Sequence, residues 1–525
     1  MKRNPTCLFF GFLVLSLSCR PQSEIQEDNR PNIVIIVADD LGYSDIGCYG
    51  SEIATPNLDG LAKEGLMFQR FYNAARCCPT RASLLTGLYP HEAGMGGMVS
   101  SVSSDPDPGP YQGFLNDESV TIAELLKEAG YATYMSGKWH VGEKKEHWPR
   151  TRGFERYFGL ISGGSSYFEL DKDSARLRQM ALDDDPWEPP KDDFYMTDAF
   201  SDQAVQYVRE HGERKPGKPF LLYLAYTAPH WPLHALPEDI QRYEGRYAIG
   251  WDALRKERYE RQLRLGVLDP NFRLTPREEG VSSWEAAADK ADWAKRMTVH
   301  AAMVDRMDQG IGKLVRELKA NGLYDNTLIV FLSDNGASPE SIVGRNMHDP
   351  NSEIGYPGSY VAFKKPWAIA SNTPFRRYKR WLEEGGMATP MIAHWPNGIS
   401  QKGITKETGH VVDIMATCLE LGNTAYPERY QGNQLKPLRG KSLVPVFKGE
   451  GMEQNRELYW EHFGHQAMRK GKWKIISKSP EFDWELFDLD EDPTELNEIG
   501  EQNPQILEEM VKDYAYWAEE VGVRY

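Results

Sequence analysis

The sequence predicts an α/β protein: a large, mostly parallel sheet flanked by helices, followed by a smaller C-terminal subdomain of antiparallel sheet plus helix. Three observations predict it. Short, wholly apolar runs alternate with stretches of helical period along most of the chain, the pattern of βα units. The four clearest apolar runs each stop at polar residues able to do chemistry, as strands of an open parallel sheet do at their carboxyl ends. From about Lys436 the texture changes to short alternating runs separated by turns.

Taken in order, Asn32–Ala38 (NIVIIVA) reads as a buried strand. Val120–Ala129 reads as a helix closed by Gly130, and Tyr131–Ser136 as a second strand. Phe220–Tyr226 is a third, Thr327–Leu332 a fourth, and Met391–Ala393 begins a fifth. Met297–Leu318 has the period of a long amphipathic helix ending near Asn321-Gly322, and Val411–Leu421 is another helix. The stretch Pro237–Lys295, rich in Arg, Glu, Trp and Tyr, reads as a helical insertion on the surface. Beyond Lys436, Glu457–Trp460, Ala467–Arg469, Trp473–Ile476 and Glu485–Asp488 read as an antiparallel sheet, and Gln505–Val521 as a closing helix.

Residues 1–18 read as an export signal: Lys2 and Arg3 precede the short apolar run Leu8–Leu17. Two readings of its end stand. Leu17-Ser18-Cys19 fits lipidation of Cys19, with residues 19–30 as a tether to a membrane, although Ser16 stands where an aliphatic residue is usual; plain secretory cleavage nearby is the other. Either makes the protein exported, to the periplasm or the cell surface. The expected organisation is therefore signal 1–18, tether 19–30, main domain 31–435 and C-terminal subdomain 436–525. Over 525 residues the net charge is −16, which argues against a general nucleic-acid binder. Leaving out Cys7 and Cys19, the cysteines are Cys48, Cys77, Cys78 and Cys418, too few and too scattered for a disulfide framework and matching no zinc spacing.

The polar strand ends are Asp39-Asp40, then Lys138 and His140, then Pro229-His230, then Asp334-Asn335. Any one alone would be a turn or a helix cap. Together they predict one shared site. Asp39, Asp40, Asp334 and Asn335 offer only oxygens and three negative charges, a donor set for a hard cation such as calcium or magnesium.

The stretch Cys77-Cys78-Pro79-Thr80-Arg81-Ala82-Ser83-Leu84-Leu85-Thr86-Gly87 resembles the signature of the formylglycine-dependent (type I) sulfatases, members of the alkaline-phosphatase-like superfamily. Ala38–Tyr43, Gly137–His140, Ala228–His230, Ser333–Gly336 and Lys379 with Glu384-Gly385-Gly386 resemble that family's other elements, in the family's order, over about residues 31–525, closest to the bacterial arylsulfatase type. The resemblance implies that a formylglycine-generating maturation enzyme oxidises Cys77 in the unfolded chain to 3-oxoalanine. It implies one metal ion held by Asp39, Asp40, Asp334 and Asn335 and touching the oxygen of residue 77; the all-oxygen donors, and calcium's tolerance of irregular coordination, make calcium the expected ion. It also implies roles for Arg81 and Lys138 in stabilising an ionised diol, for His140 as a base, and for His230 and Lys379 in gripping sulfate and protonating the leaving alcohol. The implied activity is hydrolysis of sulfate monoesters, of sulfated saccharides and also of aryl sulfates.

Trp460–His465 departs from the family: Phe463 and His465 stand where Glu and Asn are expected, which leaves open a changed leaving-group pocket or drift in a peripheral sheet. Trp231 and His234 are candidates to line a sugar pocket, and His91 reads as structural. Two rivals remain: a phosphoester or phosphonate monoester hydrolase of the same superfamily, and a non-catalytic sulfoglycan-binding protein.

Overall fold

The computed structural model describes residues 1–2, 28–99, 108–171, 178–342, 347–479, 481 and 483–524. The export signal, Cys19 and most of the tether lie outside the described residues. Its last residues are described: Arg30 pairs with Asp28 and donates to the carbonyls of Ala129 (2.7 Å) and Gly422 (3.0 Å).

Ten strands form one sheet. In chain order they are β1 (Asn32–Ala38), β2 (Leu66–Tyr72), β3 (Ala132–Gly137), β4 (Arg156–Leu160), β5 (Met180–Leu182), β6 (Asp185–Trp187), β7 (Phe220–Ala225), β8 (Thr327–Ser333), β9 (Met391–His394) and β10 (Gly403–His410). The spatial order is β10-β2-β9-β8-β1-β7-β3-β4-β5-β6. The five central strands β8, β1, β7, β3 and β4 run parallel. The expected fifth strand, β9, runs antiparallel to both of its neighbours, so the sheet is mixed but mostly parallel.

Strand β1 is buried along its whole length, as a central parallel strand must be. Its side chains alternate between two cores. Val34, Ile36 and Ala38 face one layer, which includes the helices α1 (Met196–Arg214) and α2 (Lys290–Ala320). Ile33, Ile35 and Val37 face the other, with the helices at Cys77–Thr86, Ile122–Glu128 and Asp413–Leu421. Thr121 opens the Ile122 helix with a reciprocal capping box to Glu124, which sets its start two residues inside the expected one.

The insertion Pro237–Lys295 is helical at Pro237–Arg242 and Gly250–Leu265. It is more than a surface addition. Trp251 and Leu254 are buried, and Arg258, fully buried, pairs with Asp45 (2.6 Å) and Glu52 (2.9 Å). Among the described residues no helix is long and apolar enough to cross a membrane.

The C-terminal sheet is an antiparallel meander of β11 (Glu457–His462), β12 (His465–Lys470), β13 (Trp473–Ser477) and β14 (Trp484–Asp488). The helix Pro504–Val521 covers it through Met510, Tyr514 and Trp517. No packing gap marks the texture change near Lys436: Leu443, Val446 and Phe447 belong to the core of the main sheet.

Candidate active site

Register brings the polar strand ends together. Ala38 pairs with Ser333, so Asp39-Asp40 and Asp334-Asn335 leave adjacent strands at the same level. Val37 and Gly137 both pair with Ala225, so Lys138 emerges beside them. Gly137 has φ +118°, and a Cβ there would lie 1.9 Å from the Ala225 carbonyl oxygen, so the close strand approach requires glycine.

The helix Cys77–Thr86 ends on this edge, with Cys77 in its first turn and Arg81 one turn on, on the same face. Arg81 binds Asp334 through Nε (2.9 Å) and Nη2 (2.8 Å), and donates from Nη1 to the Lys138 carbonyl at 3.0 Å. Lys138 Nζ lies 2.6 Å from Asp39 Oδ2. Lys379 Nζ lies 2.7 Å from Asp40 Oδ1, and His230 Nε2 lies 3.6 Å from Asp40 Oδ2. Asn335 Nδ2 donates to Asp40 Oδ1 at 2.7 Å. The Cys77 sulfur lies within 4.8 Å of the Cys78 sulfur and of a His140 ring nitrogen. Every residue predicted for the site is therefore in one buried cluster. Asp40 (φ 66°) and His140 (φ 60°) sit in the left-handed region, where non-glycine residues are uncommon and which is found at constrained functional positions.

The electrostatics suit a cation. Asp39 Oδ1 and Asn335 Oδ1 are buried oxygens that accept no hydrogen bond among the described residues. Burial, against the opposing charge of Lys138, pushes Asp39 up to about 6; burial and the neighbouring Asp39 push Asp334 up to about 8. Burial would raise Asp40 too, but Lys379 and His230 hold it at about 2. Crowded, desolvated carboxylates with spare oxygens are what a bound divalent ion stabilises. The four residues fit the expected ion as donors.

Above them is a cavity of about 450 Å³, lined among others by Cys77, His140, His230 and Lys379. Of the lining residues that sequence reasoning missed, four bear directly on the site. Arg76, next to Cys77, pairs with Glu340 at 3.2 Å, and Glu340 also accepts from Trp231 Nε1 at 2.5 Å. Glu340 thus ties the segment before Cys77 to the segment after His230; no motif marks it. Arg178 lies on the opposite side of the sheet order, just before β5. Gly163 packs against the His140 ring: a Cβ there would lie 2.3 Å from its Cε1 and Nε2. Gly163→Ala is therefore expected to push His140 aside and, for the base role the sequence resemblance implies for it, to lower kcat by ~10²-fold, the scale of a misplaced group. Kinetics of the folded variant check it, and an unchanged kcat would mean that His140 is free to adapt.

Trp231 lines the cavity as expected, but His234 does not. It is 1% exposed, and its Nε2 meets the Ser359 carbonyl at 2.5 Å. Burial depresses its pKa to about 4. An unfolded histidine takes a proton near pH 6.5, so between about pH 6.5 and 4 protons favour the unfolded chain and stability falls, by ~3 kcal/mol from this group. His234→Gln, which keeps a donor for Ser359, should flatten the fall of Tm over that interval. His91 is structural as read: it is buried, with Nε2 2.8 Å from Glu461.

The departing hairpin packs against the segment that follows Lys379. Arg380, next to Lys379, lies over the Phe463 ring at 5.2 Å, and the His465 ring meets Trp381 tilted by 34°, with centroids 4.6 Å apart. Burial, with Arg76 and Arg380 nearby, keeps His462 uncharged by pressing its pKa well below the usual range.

A family model described as Sulfatase matches residues 31–424, and one described as N-sulphoglucosamine sulphohydrolase, C-terminal, matches residues 376–516. An uncharacterised sulfatase of Schizosaccharomyces pombe is 36% identical, with 95% of each chain covered. An arylsulfatase of Klebsiella aerogenes is 35% identical over 82% of this chain and 95% of its own. Among solved structures, Ps i-CgsB in complex with k-i-k-neocarrahexaose superposes with a TM-score of 0.69, 29% identity and 93% of each chain covered.

Proposed function

The chain belongs to the sulfatase family and is a hydrolase of sulfuric esters; from that premise we propose that it removes sulfate from a saccharide, using an aldehyde made from Cys77 and a bound calcium ion. The observation that carries the reading is the meeting of Cys77, at a helix N-terminus, with the oxygens of Asp39, Asp40, Asp334 and Asn335 and the cations Arg81, Lys138 and Lys379.

A sulfate ester is anionic, and its sulfur is shielded by oxygens. Charge neutralisation, an aligned nucleophile and a proton for the leaving oxygen are all needed. An unmodified thiol is a poor nucleophile for this task, because it would be left as a thiosulfate ester with no easy exit. Oxidised to the aldehyde and hydrated, residue 77 supplies one hydroxyl to attack sulfur and a second whose loss of a proton expels sulfate. A calcium ion at the four oxygens supplies Lewis acidity and a fixed template. Arg81 and Lys138 hold Asp334 and Asp39 in place and lend positive charge to residue 77. His140, with a ring nitrogen within 4.8 Å of the residue 77 side chain, is placed to take the proton of the second hydroxyl. His230 and Lys379 line the cavity, where they bind sulfate oxygens, and one of them protonates the departing alcohol.

Calcium is favoured because the donors are oxygens and calcium tolerates irregular coordination. The imidazole of His230 lies within ligand range of Asp39 and Asp40 and offers the alternative of a borderline metal. Elemental analysis of matured protein, carrying the aldehyde at position 77 and purified without added metal, should find about one calcium per chain by the oxygen-donor argument, and a full equivalent of zinc in that matured protein would overturn it. The saccharide reading rests on the Trp231 platform beside Arg76, Arg178 and Glu340, and on the similarity to a chain solved with a hexaose. A panel of defined sulfated saccharides tests it: turnover of aryl sulfates with no saccharide desulfated would refute it. A sulfate and a phosphate ester sharing one leaving group separate sulfatase from phosphohydrolase. The Lys2–Leu17 leader and Cys19 support export and a lipid anchor, and the Cys77–Arg81 signature supports maturation by a formylglycine-generating enzyme. Mass analysis of the mature N-terminus checks the anchor.

A further inference from the structure

The same helix end carries a second donor set, different in kind from the oxygen cluster. One sulfur each from Cys77 and Cys78 and one ring nitrogen of His140 lie within 4.8 Å of one another, and all three residues are buried. Neighbours in sequence seldom face one way on a helix. Here they lie in its first turn, with their two sulfurs within 4.8 Å of each other.

We propose that the folded chain in which Cys77 has remained a thiol binds one zinc-class cation through Cys77, Cys78 and His140. Two thiolates and an imidazole are donors that zinc prefers, and three protein ligands with a fourth position open is a recurrent zinc arrangement. Cys77 and His140 both line the cavity, so that fourth position faces space large enough for water or an anion. Gly163, against the imidazole, confines the ring. Each thiol gives up its proton to solvent as it ligates, and no electron moves, so the step needs no oxidant.

The consequence is selective. Oxidation of residue 77 removes a sulfur and leaves two ligands, so a matured molecule loses the site. A molecule that folds before oxidation gains it, and zinc then occupies the position where substrate would bind. The inference needs only a thiol at position 77, and it stands or falls separately from the choice of sulfate ester as substrate.

The test uses the full chain, expressed without a maturation enzyme and shown by peptide mass to carry a thiol at position 77. Cobalt(II) serves as the spectroscopic probe for zinc. The expected result is a thiolate-to-cobalt charge-transfer band that saturates at about one equivalent and is erased by zinc, as expected of one three-ligand zinc-type site. Cys78→Ala should cut the band and weaken cobalt binding by more than about tenfold, the loss that even outer-shell partners produce. Asp39→Asn should leave the band in place. Matured Cys78→Ala that still turns over substrate shows that the variant folds. Cobalt bound without a charge-transfer band, or a band unchanged in Cys78→Ala, would overturn the proposal.

Discussion

Cys77→Ala is expected to lower kcat by at least ~10⁴-fold, the order seen when a nucleophile is deleted from an otherwise intact site. Fold and cation affinity should survive. Asp39, Asp40 and Asp334 are held by Lys138, Lys379 and Arg81, and none of these pairs passes through residue 77. The neighbouring substitution should contrast. Cys78 is fully buried beneath the site, so Cys78→Ala should cost about 1 kcal/mol of stability, the worth of one buried apolar group, and leave turnover near wild type. Peptide mass analysis of natively matured protein should show aldehyde at position 77 and thiol at position 78. Wild-type activity in Cys77→Ala, or an aldehyde at position 78, would refute the assigned nucleophile.

The readable parts of the fold were those that a single physical signal dominates. Strands β1, β7 and β8 are buried on both faces, so their composition alone betrays them, and their sequence-derived limits fall within a residue of the observed ones. Strands β2 and β10 gave no such signal. Gln69 and Arg70 interrupt β2, where Gln69 Nε2 donates to the Val267 carbonyl and Arg70 pairs with Asp490. Strand β10 (GITKETGH) is a polar edge strand with a bulge between Thr405 and Thr408, features that protect an edge and hide it from pattern reading. Helix α2 begins at Lys290, earlier than expected, because its first turns are polar and half-exposed, without the apolar period that marks the rest.

The site followed the same rule. Asp39, Asp40, Lys138, His140, His230, Asp334 and Asn335 stand at ends of legible strands or in short motifs. Arg76 had one usable clue, its place beside Cys77. Glu340 and Gly163 had none, since their contribution lies in contacts across more than a hundred positions of chain or against a single ring.

The second large effect is expected far from the cavity, at Lys474. This residue of β13 is fully buried and bridges Glu384 Oε1 (2.7 Å) and Glu495 Oε1 (2.6 Å). Glu384 also accepts from Tyr72 Oη at 2.9 Å, and its backbone N–H donates to Glu495 Oε2 at 3.0 Å. Tyr72 in turn accepts from Arg469 of β12. The C-terminal sheet thereby grips the segment that carries Lys379. Lys474→Met removes the nearest cation from two buried carboxylates, leaving Glu495 with Arg376 at 3.7 Å and Glu384 with the Tyr72 hydroxyl, so it should cost ~3 kcal/mol, the lower end of the range for breaking one side of a buried ion pair. The loss should depend on pH with a definite sign. Burial already raises Glu495, and Lys474 opposes it. Without Lys474 its folded pKa climbs further above the unfolded value of about 4.3, so the native state holds its proton after the unfolded chain has released one, and stability declines as pH rises from there. Urea unfolding should thus find the variant closest to wild type near pH 4 and furthest from it near pH 8, as that linkage requires. Lys474→Met combined with Glu495→Gln should recover part of the deficit at the higher pH. An equal deficit at both pH values would mean that Lys474 acts by packing alone.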